Sequence, residues 1–460
     1  MSILLFLLEV IKTPAIILGL VALIGLLLQK KTGTQVFSGT LKTALGMLIL
    51  SAGSGLVVTA ILPFVGLFQE VFGLNGFATG SELISAAMQD SVSAIAGSSS
   101  IIMAVGFCVN VILARFTPLK YIFLTGHMMW IASVLVAYCL YSAGFNETTI
   151  IVLGSIIQGG VLTVLPALSQ PVVRKITGGN DFALAHLTTL GTVASAYIGK
   201  LVGDPSKSTE DMKLPKGLSF FKDTAISISV VMIAFYLVIV VAAGPDRVAP
   251  YAGDVNYVMF GLLQGLGFAA GVLVLLQGVR MFLGELVPAF KGIADKLVPN
   301  AVPALDVPAI FAYAPNALMI GFITAVVGML VAMIASSLAF GVVPLVSIIG
   351  AFFTGGVAGV MGNALGGRRG AIVSGFSYGF ILIFLSGFTY SLFGHFASVG
   401  AEGVGHDCVD AMATMLIFQN PMIGIVILVT AFVCCSFFEL RYQKRIREQA
   451  LEPAGELDGK

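Results

Sequence analysis

Two histidines and one aspartate stand where this apolar chain least tolerates an ionisable group. His127 lies in Thr125-Gly126-His127-Met128-Met129-Trp130, and His186 follows Phe182-Ala183-Leu184-Ala185. Asp306 sits between Pro303 and Pro308, at the mouth of a long apolar run. A charge held in apolar surroundings needs a partner, and an ionisable side chain at membrane depth marks a functional site by default. A hydroxyl-rich solute would give the Asp306 carboxylate its donors. A helix N-cap would use the same residue structurally, and the two roles are compatible. Hydroxyls recur nearby in sequence. Gly53 and Ser54 fall in Ser51-Ala52-Gly53-Ser54-Gly55, either a close-packing patch or a surface where a ligand meets backbone and hydroxyl. Thr79-Gly80-Ser81 reads as a hairpin tip with exposed hydroxyls or as plain turn chemistry. His395 and His406 read as outer-surface residues without a role. Arg280 and Glu285 either pair with each other or face an interface, and Glu82 and Asp90 receive no assignment. The 5 cysteines lack metal-ligand spacing. No P-loop, nucleophile elbow, metal cluster or dinucleotide fingerprint is present, so catalytic residue, metal and cofactor are all expected to be absent.

The elements that position these residues follow from composition. The chain has 460 residues, 58% of them hydrophobic and only 10% charged, with net charge +1. Its mean hydropathy is +1.02. That excludes a soluble globular domain, and no basic cluster points to nucleic acid. The expected fold class is an all-α polytopic membrane protein. With about 20 apolar residues per span, the sequence divides into about eleven: 5–28, 43–68, 101–114, 121–141, 150–168, 223–243, 259–289, 309–335, 342–360, 372–393 and 412–438. The first is not expected to be a cleavable signal, for it has no basic start and no small-residue cleavage site.

Residues 53–81 echo in 278–306 at a shift of about 225. Gly53 falls on Gly278, Pro63 on Pro288, Asn75 on Asn300 and Ser81 on Asp306. Interrupted apolar segments in matching positions of two halves point to a transporter binding site. Basic residues mark alternating loops, with Lys30, Lys31 and Lys42, then Arg115 and Lys120, then the polar passage 169–222, then Lys291 and Lys296, then Arg368 and Arg369, then the tail. By the positive-inside rule these loops are cytoplasmic and the amino terminus is outside, provided that 76–100 and 298–307 are re-entrant hairpins. The domains expected are a first inverted repeat, 1–213, a second, 214–440, and a cytoplasmic tail, 441–460, with a hinge near 214–222. A broken hairpin cannot face lipid, so it must line protein or a wet cavity.

Five strings, in order, resemble one family: 50–55, 124–129, 277–282, Asp306 through Ala317, and Asn363 through Arg369. Together they are similar to the ascorbate-type membrane permease, the IIC component of the bacterial phosphoenolpyruvate-dependent sugar phosphotransferase system. The resemblance implies an inner-membrane homodimer with an elevator-type core domain carrying the hairpins and a dimerisation domain. It implies import of ascorbate or a related sugar acid or polyol, with phosphorylation by separate IIB and IIA proteins. Solute contacts would fall on Ser54, Ser81, His127, His186 and Asp306. This chain departs from the ascorbate pattern at Ser51, Ile131 and Leu187, where glutamines are expected, and Ile131 and Leu187 would line the pocket with Gly53 and Thr79. An ion-coupled secondary transporter on the same architecture is the alternative.

Overall fold

The computed structural model describes residues 14–72, 76–77, 81, 84–85, 88, 93–212, 224–294, 298–344, 346–347, 350–393 and 406–451. Among them the chain is helical nearly throughout. The helices are α1 (Pro14–Leu28), α2 (Gly33–Phe72), α3 (Ser93–Phe116), α4 (Gly126–Ser142), α5 (Glu147–Thr177), α6 (Thr189–Val202), α7 (Thr224–Ala252), α8 (Tyr257–Ala294), α9 (Pro315–Phe340), α10 (Gly356–Phe393), α11 (Val409–Phe418) and α12 (Pro421–Leu451). Among the described residues, seven stretches are long and apolar enough to cross a membrane: Gly97–Phe116, Glu147–Thr177, Met232–Ala252, Tyr257–Val274, Pro315–Phe340, Ala351–Tyr390 and Pro421–Glu448. With their largely lipid-compatible surfaces they make this a multi-pass membrane protein. Thr79, Glu82, Asp90, His395 and the hinge at 214–222 lie outside the described residues.

Glycine and proline decide where the helices stop. α7 breaks at Gly244, whose φ of 78° and ψ of 166° leave the helix, and Pro245 follows. α5 starts on Asn146, whose side chain accepts from the Thr149 amide at 3.0 Å, and ends on left-handed Gly178 at φ 72°. α10 reverses at Gly367, with φ 59° and ψ −148°. A Cβ on Gly362 would lie 2.5 Å from the Gly370 carbonyl oxygen. Eight residues of straight helix would separate the two by about 12 Å, so the contact requires two antiparallel arms. The sequence expectation of separate spans on either side of Gly366-Gly367-Arg368-Arg369 matches this reversal. The turn is held by loop 203–212. Asp204 N donates to Gly366 O at 2.9 Å, Arg368 N to Lys207 O at 2.8 Å, and Thr209 N to Asn363 Oδ1 at 2.9 Å. Glu210 then accepts from the Ala317 amide at 3.0 Å, at the amino end of α9.

Several expectations need correction. The echo itself needs none: residues 53–72 and 278–294 are continuous helix through Pro63 and Pro288, in keeping with apolar runs whose broken part is the end. The polar passage 169–222 holds the end of α5, a strand and the whole of α6. Glu285 pairs with Lys42 at 2.9 Å rather than with Arg280, tying α8 to α2. His406 is no surface residue; it is fully buried. The helices pack in two groups: α1, α2, α7 and α8 on one another, and α9, α10 and α6 together with α3, α4, α5, α11 and α12.

Two small parallel sheets lie among the helices. β2 (Tyr121–Phe123), β4 (Val302–Leu305) and β3 (Ala183–Leu184) form one, with β4 central; β1 (Gly76–Phe77) and β5 (Val343–Pro344) form the other. In the first, Ile122 faces Pro303 and Ala183 faces Ala304. Pro303 precedes the register at which β3 begins, so its missing N–H forfeits no ladder bond there.

Candidate functional site

Three parallel strands bring three carboxyl ends to one edge. Asp306 follows β4 directly, His186 follows β3 by two residues, and His127 opens the first turn of α4 just after β2. The ladder continues past the strands: Leu124 N donates to Ala304 O at 2.9 Å and Ala185 N to Leu305 O at 2.7 Å. Open sheet edges in an apolar interior would leave backbone groups unpaired. Two amide side chains prevent this. Asn110 accepts from Phe123 N at 3.0 Å and donates to Tyr121 O at 3.1 Å, standing in for a fourth strand beside β2. Gln170 donates to Phe182 O at 3.1 Å at the foot of β3.

The convergent side chains form a triad. Asp306 Oδ2 is 3.9 Å from His127 Nε2, and Asp306 Oδ1 is 3.9 Å from His186 Nε2. The two imidazole rings are edge to face with centroids 6.3 Å apart. Side-chain exposure falls from 31% at His127 to 13% at Asp306 and 6% at His186, so the cluster opens on the His127 side. Asp306 also caps the 3-10 turn Val307–Tyr313, accepting from Val307 N at 2.7 Å. The capping role foreseen for it is present: Oδ1 is held by the Val307 amide and lies on the His186 side, and Oδ2 faces His127. Separations of 3.9 Å exceed a direct hydrogen bond, and polar groups so spaced meet through a shared bridging atom.

Ser81 reaches this neighbourhood through a residue the sequence reading left without a role. Its hydroxyl donates to Asp407 Oδ1 at 2.5 Å and its amide to the same oxygen at 3.2 Å, while Asp407 N donates back to Ser81 Oγ at 3.3 Å. Asp407 lies within electrostatic reach of His186. Next to it Asp410 accepts from Leu190 N at 3.0 Å and Gly191 N at 3.2 Å, capping the amino end of α6. Thr188, Tyr378 and the Val409 amide complete the buried network, the two hydroxyls being hydrogen-bonded to each other. Asp407 and Asp410 escaped notice because the neighbouring His406 reads as an outer-surface residue. The available signal was two carboxylates three apart beside an apolar run.

The other named positions behave differently. Ile131 and Leu187 are fully buried in one apolar cluster with Met128, Met129 and Ala411, and the Leu187 carbonyl accepts from Asp410 N at 3.1 Å. Gly53 is buried on α2. Ser54 lies on the same helix, its side chain outside the described residues, as is all of Thr79.

A polar base supports the triad from the far end of β2. Tyr121 OH donates to Glu439 Oε2 at 2.9 Å, and Arg174 Nη2 lies 2.9 Å from Glu439 Oε1. Both charged side chains are about 90% buried, at 10% and 11% exposure, and the Arg174 guanidinium covers the Tyr442 ring at 3.8 Å.

One curated relative, the ascorbate-specific PTS system EIIC component of Mycoplasma pneumoniae, is 29% identical over 443 residues, covering 82% of this chain. The match covers 65% of that relative, so the chain spans less than two-thirds of its length. The family model described as "PTS system sugar-specific permease component" matches residues 9–407. The chain therefore belongs to the EIIC-GAT family of sugar-specific permease components of the phosphotransferase system.

Proposed function

We propose that this protein is the membrane permease of a phosphotransferase system and imports ascorbate, or a related sugar acid or polyol, for phosphorylation on the cytoplasmic side by a separate IIB protein. The observation that carries this reading is the convergence of His127, His186 and Asp306 on one sheet edge inside a bundle of apolar helices. A solute with vicinal hydroxyls offers donors to Asp306 Oδ2 and acceptors to imidazole N–H, at the 3.9 Å spacing that one bridging oxygen spans. The amino end of α4 at Gly126 adds a partial positive charge, favourable for a solute with anionic character. The relative's ascorbate specificity supports the solute class. The apolar Ile131 and Leu187, where glutamines are expected, leave room for a relative of ascorbate.

The same reading takes the halves as inverted repeats. At the shift of about 225, β1 maps beside β4 and β2 beside β5. The pairing of β1 with β5 is then the counterpart of β4 with β2, each half lending its broken segment to the other. The two helix groups correspond to a dimerisation domain of α1, α2, α7 and α8 and a moving core domain of the rest, within eleven spans of an inner-membrane homodimer, amino terminus outside and carboxyl terminus in the cytoplasm. The exposed Lys200 and Lys207 suit an anionic phosphoprotein partner.

Reconstitution tests the mechanism. Proteoliposomes holding this chain, with IIB, IIA and a phosphoryl donor outside the cytoplasmic face, should release labelled solute there only as its phosphate ester. Accumulation against a gradient with ions alone would instead establish an ion-coupled carrier.

A further inference from the structure

The triad has a property beyond hydrogen bonding to a solute: its donor set is that of a transition-metal site. One ligand atom from each of His127, His186 and Asp306 lies within 4.8 Å of the other two. Two neutral imidazole nitrogens and one carboxylate oxygen suit zinc-class cations, whereas hard cations such as magnesium and calcium require oxygen donors. Around a tetrahedral zinc with ligand bonds of about 2.0–2.2 Å, donors stand roughly 3.3–3.5 Å apart. The 3.9 Å separations of His127 Nε2 from Asp306 Oδ2 and of His186 Nε2 from Asp306 Oδ1 exceed that spacing by roughly 0.5 Å, which small rotations of the two imidazoles close, His127 being the most exposed member at 31%.

Two further observations point to a bound ligand. His186 is 4% exposed and directs its Nε2 at Asp306 from 3.9 Å, too far for a direct hydrogen bond. A buried imidazole facing a carboxylate at that range is a group oriented towards a third participant. Asp306 is pre-organised as a ligand, since Val307 N fixes Oδ1 at 2.7 Å and Oδ2 is the oxygen nearest His127. The rigid β2–β4–β3 ladder holds all three backbones.

We infer that His127, His186 and Asp306 bind one divalent transition-metal cation of the zinc class, with the coordination positions on the His127 side left open. The inference concerns the same residues as the transport reading but does not depend on it, because metal binding is read without solute.

The test is calorimetric titration of the purified, detergent-solubilised full chain with zinc, together with cobalt titration followed by visible absorption. Cys108 and Cys434, the exposed thiols, are first replaced in the background C108S/C434S, which removes the thiols open to added metal. The expected result is one site per chain, weakened at least tenfold in H127A and in D306N, with tetrahedral cobalt bands lost in both. H127A changes an exposed side chain, and an unaltered size-exclusion profile shows that it is folded. Absence of binding at millimolar zinc, or binding unchanged in H127A and D306N, overturns the inference. Repetition with ascorbate separates the two readings. Competition supports a shared site, whereas triad-dependent zinc binding that ascorbate leaves untouched upholds the metal site and contradicts the solute reading.

Discussion

The Ser81–Asp407 pair should behave as a cross-chain latch whose energy can be measured. Two donors of Ser81 converge on one Asp407 oxygen, at 2.5 Å and 3.2 Å, and both residues are buried. Neutral hydrogen bonds between membrane helices are worth only about 0.6 kcal/mol on average in double-mutant cycles, with a ceiling near 1.7. A hydrogen bond to a charged group is worth about 1.5–3 kcal/mol. Only the hydroxyl is removed in S81A, the amide bond surviving, so a coupling of about 1–2 kcal/mol is expected, roughly a factor of ten in the unfolding equilibrium. The assay is reversible unfolding in mixed micelles of the wild type, S81A, D407A and S81A/D407A. D407A alone should cost more than S81A, because it strands both Ser81 donors. Additivity within about 0.3–0.5 kcal/mol would refute the latch, since it is the agreement expected of independent sites.

Three further outcomes follow from the packing. R174M leaves Glu439 buried and unpaired and should destabilise by about 3–5 kcal/mol in the same unfolding assay, while R174M/E439L recovers most of the loss because an apolar pair of similar volume replaces the ions. G367A must place a Cβ 2.5 Å from the Lys207 carbonyl oxygen at a φ of 59°, so the folded yield by fluorescence size-exclusion should fall sharply, whereas G55A, with nothing within 4 Å, should leave it unchanged. N110L strands the Phe123 amide and the Tyr121 carbonyl, which should cost about 1–3 kcal/mol for each stranded group and lower solute affinity through the displaced β2.

His127, His186 and Asp306 were legible because ionisable residues are rare in so apolar a sequence, and rarity at depth implies purpose. The surrounding scaffold was not. β3 has only 2 residues and β2 only 3, too few to show an alternating pattern, and their partner β4 lies more than a hundred residues away. β4 even contains a proline, which speaks against a central strand unless the register is known. α6 was hidden because its Thr189, Thr192 and Ser195 are buried against protein, so its burial leaves no trace in hydropathy. The turn at Gly366-Gly367 was readable from two glycines followed by two arginines. Asp407 and Glu439 were missed for a common reason: each finds its partner in a distant part of the sequence, Ser81 and Arg174, and spacing along the chain carries no record of such pairs.

The central claim is that the His127–His186–Asp306 cluster receives the solute, and its most direct measurement is equilibrium binding of labelled ascorbate to the purified wild type, H127A and D306N. Loss of one charge-assisted hydrogen bond, worth about 1.5–3 kcal/mol, predicts affinity roughly ten- to a hundredfold weaker in each folded variant. Wild-type affinity in both would contradict the account.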